Sequence, residues 1–95
     1  KALPDAEMAI RLAPQDFHGY LGRGRVLFER GSNGLADLQK AVELSKRSDP
    51  AALNAYAAAL AQAGKRTEAV AAQREATKLR PDAIEYQEQL RELEN

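Results

Sequence analysis

An all-α fold built from stacked antiparallel helix pairs is what this sequence predicts, and three observations predict it. Apolar residues recur at spacings of three and four, as in Leu35, Leu38, Ala41, Val42 and Leu44, and no segment alternates as a strand would. Glycine and proline punctuate the chain at intervals suited to short helices. A pattern of small and bulky residues recurs along the chain, as repeated helix pairs require.

The punctuation divides the chain into about six helices. The first runs from Leu3 to Leu12, with Pro4 in its opening turn and Pro14 beyond its end. Asp16 caps a second that continues to about Arg30 and is closed by Gly31. A third extends from Gly34 to about Lys46. The sharpest boundary is Ser48-Asp49-Pro50, where Asp49 caps and Pro50 takes the first helical position, at which its missing N–H costs nothing. That fourth helix reaches about Ala63 and stops at Gly64. Thr67 is expected to cap the fifth, which ends near Leu79 before Pro81. Asp82 and Glu85 have the spacing of a capping box opening a last helix toward Glu94.

Composition narrows the function classes. Lys+Arg and Asp+Glu are both 14 in 95 residues, so the formal charge is zero. That balance speaks against nucleic acid as a partner, whose binding rests on a basic face, and against a polybasic membrane anchor. No apolar run approaches the roughly 20 residues that span a bilayer. The absence of cysteine removes disulfides, thiolate catalysis and Cys-type zinc sites. It leaves the compartment open, with a soluble, cytoplasmic setting the working expectation. Alanine is abundant, and its small side chain lets helix axes approach closely.

The repetition is specific. Ala9-x-x-Leu12, Ala41-x-x-Leu44 and Ala76-x-x-Leu79 align, and seven residues before each alanine stands Ala2, Gly34 or Ala69. Seven residues are two helical turns, so each pair of small residues shares one stripe. Upstream, Gly24, Leu27 and Gly31 have the spacing of Ala57, Leu60 and Gly64, with bulky Tyr20 and Leu53 four residues earlier. Small residues mark where helix backbones nearly touch, bulky ones fill the wedge between pairs, and the glycine supplies a left-handed turn.

On these residues the chain resembles the tetratricopeptide repeat, whose unit is about 34 residues of helix, turn, helix and a closing proline. Residues 50–81 are the best copy, with Leu53, Tyr56, Ala57, Leu60, Gly64, Ala69, Ala76 and Pro81 in the family's order. Residues 15–49 are a degenerate copy, 1–14 the second helix of an earlier unit, and 82–95 a C-terminal capping helix. The resemblance implies a short right-handed α-solenoid, the end segment of a longer array, with further repeats or another domain before Lys1. Three departures stand out. The span from Gly31 to Ala41 is two residues shorter than that from Gly64 to Ala76, which predicts a shortened turn. Ser45-Lys46-Arg47-Ser48-Asp49 predicts an extended helix or a longer loop. Ala6, Leu38 and Gln73 replace the family's second-helix aromatic and predict softer packing between units.

Candidate chemistry reduces to bland readings. His18 is the single histidine, and Asp16, two residues away, is not expected to face it on a helix. Gly19, Gly22 and Gly24 lack the preceding strand of a phosphate-binding loop, so close helix approach is expected, with approach by a bound backbone as the alternative for Gly19 and Gly22. Glu85, Glu88, Glu92 and Glu94, with Gln87, Gln89 and Arg91, read as the solvated face of a terminal helix. Lys46-Arg47 is too short for a nucleic-acid element. No catalytic, metal or cofactor constellation is present, and the expected role is non-enzymatic.

The resemblance implies a concave partner-binding face carrying His18, Leu21, Gly22, Arg25, Phe28 and Glu29, then Asn54, Ala55, Ala58, Ala61 and Gln62. The last helix would add Glu85, Glu88 and Gln89. Some family members clamp a peptide's terminal carboxylate with lysine and asparagine; Arg25 and Asn54 are present here, and the lysines are not. The expected partner is a protein, bound as a peptide or helix. The alternative is a structural segment that packs on an adjoining domain or on itself.

Overall fold

The computed structural model describes residues 2–95, with side chains from Ala6 onward. They form six helices and no strand: α1 (Ala2–Leu12), α2 (Phe17–Glu29), α3 (Leu35–Leu44), α4 (Pro50–Gln62), α5 (Arg66–Leu79) and α6 (Ile84–Glu94). The expectations for Lys1 and for the small-residue contact of Ala2 lie outside the described residues and side chains. Each helix packs on its neighbours in sequence, most extensively α4 on α5 and α2 on α3, and α2 also touches α4.

Two predicted N-caps form. Asp16 accepts a hydrogen bond from the His18 amide at 2.9 Å, and Asp49 accepts one from the Ala52 amide at 2.9 Å with Pro50 in the first turn. Two others do not. α5 begins one residue before Thr67, with Lys65 at the cap position and no side chain bonded to the open amides. Ala83 caps α6, again without a side-chain bond, while Asp82 pairs with Arg80 at 3.3 Å. The Arg80 guanidinium competes for the carboxylate that the capping box would have used.

Three helix ends share one C-terminal geometry. After α2, the amides of Gly31 and Ser32 bond back to Phe28 and Leu27; after α4, those of Gly64 and Lys65 bond to Ala61 and Leu60. Gly31 and Gly64 have φ of 76° and 82°, the left-handed conformation that this motif needs. After α3 the same bonds run from Lys46 to Glu43 and from Arg47 to Val42, but there Lys46 and Arg47 themselves take φ of 57°. The insertion is therefore a loop, residues 45–49, and not an extension of α3.

The shortened-turn expectation is corrected. Residues 30–34 join α2 to α3, two residues more than the 63–65 connection between α4 and α5. The missing residues come out of the second helix, since α3 has 10 residues and α5 has 14. Gly34, just before α3, lies against α2, where a Cβ would collide with the Gly24 carbonyl oxygen. Asn33 Oδ1 accepts the Leu35 amide at 3.1 Å and organises the longer connection.

The core runs through α2 to α5. Leu38, Leu53, Leu60, Val42 and Gln73 are its largest fully buried side chains, packed among Ala41, Ala52, Ala57, Ala69 and Ala76. Of the three second-helix positions where the family's aromatic is replaced, two are fully buried and Ala6 is partly buried. Leu38 is fully buried, and Gln73, equally buried, donates to the Tyr86 carbonyl at 3.2 Å and accepts from Gln89 at 3.2 Å. Bidentate ion pairs add cross-links. Arg23 holds Asp37 at 2.8 and 2.9 Å between α2 and α3, and Arg47 holds Glu75 at 2.8 and 2.6 Å between the 45–49 loop and α5. Met8, Leu12, Leu79 and Ile84 are the exposed large apolar residues among those described, and all lie toward the two ends of the chain.

Candidate functional site

The three helices α2, α4 and α6 meet at a groove of about 400 Å³. Its lining follows from helical spacing. Arg25, Phe28 and Glu29 come from one face of α2; Ala51, Asn54, Ala55 and Ala58 from one face of α4; Glu85 and Tyr86 from the start of α6. Leu38 of α3 reaches its floor. It can do so because Gly24 has no side chain, and a Cβ there would lie 2.7 Å from Leu38 Cγ.

Of the expected site residues, the structure brings Arg25, Glu29, Asn54 and Ala58 into this groove, with Phe28, Ala55 and Glu85. The others sit elsewhere. Leu21 is buried in the core with 8% of its surface exposed and is not free to meet a partner. Gln62 lines a smaller hollow of about 270 Å³ beside residues 31–35, and Ala61 packs against the core. Gln89 is turned toward α5 by its bond to Gln73. Gly22 is on the surface of α2, and a Cβ added there would meet nothing within 4 Å, so helix approach does not require it. Gly19 does serve helix approach, because its Cβ would come within 2.8 Å of Ile10 Cγ1 and 3.1 Å of the Ile10 backbone nitrogen.

His18 departs from expectation. Its Nδ1 lies 2.6 Å from Asp16 Oδ1 although the two are only two residues apart. Asp16 is the extended capping residue, off the helix, so the spacing rule for two helical residues does not govern the pair. Hydrogen bonds from the His18 backbone and then its ring hold the Asp16 carboxyl below its ordinary range. The pair is exposed and outside the groove.

Ala51, Leu38 and Tyr86 are the groove residues that the family resemblance did not single out. Ala51 follows from Ala55 and Ala58 by continuing the four-residue step backwards. Leu38 and Tyr86 had no such signal, because their positions depend on how α3 and α6 pack.

Polar chemistry in the groove is unsatisfied. Asn54 Oδ1 is a buried acceptor without a hydrogen-bond donor, a state that costs about 1–3 kcal/mol. Arg25, Glu29 and Glu85 take part in none of the ion pairs among the described residues. Beneath them is an apolar floor of alanines, Phe28 and Leu38. An aliphatic side chain could rest on that floor while charged groups at the rim fix its orientation.

Among the described residues, no group of three His, Asp or Glu side chains is placed to hold a metal ion, and no helix is long and apolar enough to cross a membrane. No protein-family model matches the sequence, and no curated protein matches it.

Proposed function

We infer that the chain is a non-enzymatic protein-interaction scaffold of the tetratricopeptide kind, and that its groove between α2, α4 and α6 receives a peptide or helix from a protein partner. The observation that carries this reading is the groove itself: an apolar floor bordered by a buried acceptor without a donor and by charged groups without counter-ions. Packing supports the architectural half. Helices touch their sequence neighbours, α2 pairs most closely with α3 and α4 with α5, and α1 and α6 flank those two pairs. A stack of helix pairs gives that pattern, because each repeat contacts only the next.

A peptide library displayed on phage tests the reading. Selected peptides should lose affinity for the Arg25→Ala/Asn54→Ala double variant by about tenfold or more, the loss expected for one or two polar contacts. The thermal midpoint should hold or rise slightly, because Asn54→Ala removes an unpaired buried acceptor. Selected peptides that bind the double variant as tightly as the parent would remove the groove assignment.

A further inference from the structure

The electrostatics of the groove go further and specify its occupant. Spacings of three and four place Glu85, Glu88 and Glu92 on one flank of α6, the flank whose first member lines the groove. Tyr86, Gln89, Leu90 and Leu93 occupy the partly buried side of that helix, with Tyr86 and Leu93 packed against the core. Glu94, on the opposite flank, is taken up by Arg74 at 2.8 Å. The three flank carboxylates have no such counter-ion among the described residues, and neither has Glu29 across the groove. Arg66 meets Glu92 at its backbone carbonyl and not at its carboxylate. Glu29 and Glu85 line the groove against one cation, Arg25, and Glu88 and Glu92 continue the exposed acid flank beyond its lining.

The floor constrains shape as the walls constrain charge. Ala51, Ala55 and Ala58 form a row of minimal side chains along α4, and such a row lets a second helix axis approach to within the short end of the usual 8–10 Å. A helix lying there presents side chains at the same three-and-four spacing as the acid row. Basic residues on its flank then register with Glu85, Glu88 and Glu92 over two turns, which an extended strand, with its period of two, does not achieve.

We propose that the groove binds a basic amphipathic helix of a partner protein, with lysines or arginines along α6, an aliphatic anchor over Phe28 and Tyr86, and one acceptor facing Arg25. The proposal rests on the interaction-scaffold reading and names the partner's chemistry.

The test uses the 95-residue chain and three labelled helical peptides read by fluorescence anisotropy. One is amphipathic, of Leu, Ala and Lys; one has every Lys replaced by Glu; one is the basic composition scrambled so that no face forms. The basic amphipathic peptide should bind at least about tenfold tighter than either control, and its affinity should fall as salt rises. Glu85→Lys/Glu88→Lys, both at exposed positions, should reverse the preference between basic and acidic peptides while the circular dichroism spectrum is unchanged. Amide shifts in labelled protein should map to α2, α4 and α6.

Equal or tighter binding of the acidic peptide would overturn the proposed chemistry and leave the groove as a binding face. Equal binding of the scrambled peptide would overturn the helical occupant. Basic-peptide binding that maps to α1 or α5 and ignores the charge reversal would overturn the groove along with it, and so would binding of neither peptide.

Discussion

Gly22 and Gly24 lie two residues apart on one helix and are held there by different physics. A methyl group at Gly22 meets open space, while one at Gly24 would press within 2.7–2.8 Å of Leu38. Gly22→Ala should therefore stabilise the chain by about 0.5–1 kcal/mol, the ordinary helical preference for alanine. Gly24→Ala should destabilise it by about 1–3 kcal/mol through overpacking. Urea denaturation of the two variants checks both signs, and a loss of stability in Gly22→Ala would refute this account. Lys46 presents the converse case. It holds φ at 57°, where Gly31 and Gly64 stand in the matching turns. Lys46→Gly should raise stability by about 0.5–1 kcal/mol, because the left-handed penalty of a side chain outweighs the added flexibility of the unfolded chain. Denaturation midpoints compared at constant m decide it.

Among the elements, helix interiors were legible in the sequence and several ends were not. Leu38, Ala41 and Val42, which gave α3 its spacing, are fully buried or nearly so, and Asp16 and Asp49 cap as their positions imply. Thr67 and Asp82 have the right chemistry for caps and the wrong geometry, since α5 starts earlier and Arg80 engages Asp82. A cap is a competition between local partners, and sequence shows the candidates without the winner. The groove divides likewise. Arg25, Glu29, Asn54 and Ala58 were implied by the tetratricopeptide resemblance, and they come together in the groove. Leu21 belongs to the core because neighbouring helices cover it, which the spacing within α2 alone does not reveal. Gln73 is the clearest hidden feature. It read as a lost aromatic, yet its buried amide ties α5 to the Tyr86 carbonyl and to Gln89. In Gln73→Ala the α6 amides should exchange with deuterium faster, by about fivefold or more for the loss of about 1 kcal/mol of docking, while those of α4 keep their protection. Uniform acceleration in both helices would mean that α6 is not an independently opening unit.

At the scale of the whole molecule, the Arg47–Glu75 pair links the loop at 45–49 to α5 across 28 residues. Hydrogen bonds from Arg47 hold the Glu75 carboxyl below its ordinary range, with burial opposing and the guanidinium charge assisting. The folded chain therefore binds the Glu75 proton less readily than the unfolded chain does. The pair's contribution is complete above the unfolded carboxylate range and is lost as pH falls through the depressed folded value. Both partners are substantially solvent-exposed, so the contribution is small at neutral pH. Glu75→Gln should lower the neutral-pH melting temperature modestly and make the decline below about pH 4.5 shallower than in the parent. Parallel acid limbs for variant and parent in thermal melts would exclude this pair as an acid-sensitive link.

One contact far from the groove bears on it through mobility. Arg66, in the first turn of α5, donates to the backbone carbonyls of Leu93, Glu92 and Asn95 at 2.7, 3.1 and 3.2 Å. It satisfies the open acceptors at the end of α6 and places positive charge at the negative pole of that helix. α6 has no fully buried residue, so this grip opposes fraying in a helix with little core to anchor it. The backbone that carries the acid flank is thereby held in place, so the proposed association would cost less conformational entropy. If the groove binds a helix as proposed, the sharpness of that recognition is set in part from the opposite side of the helix pair, by a residue that no ligand in the groove would touch.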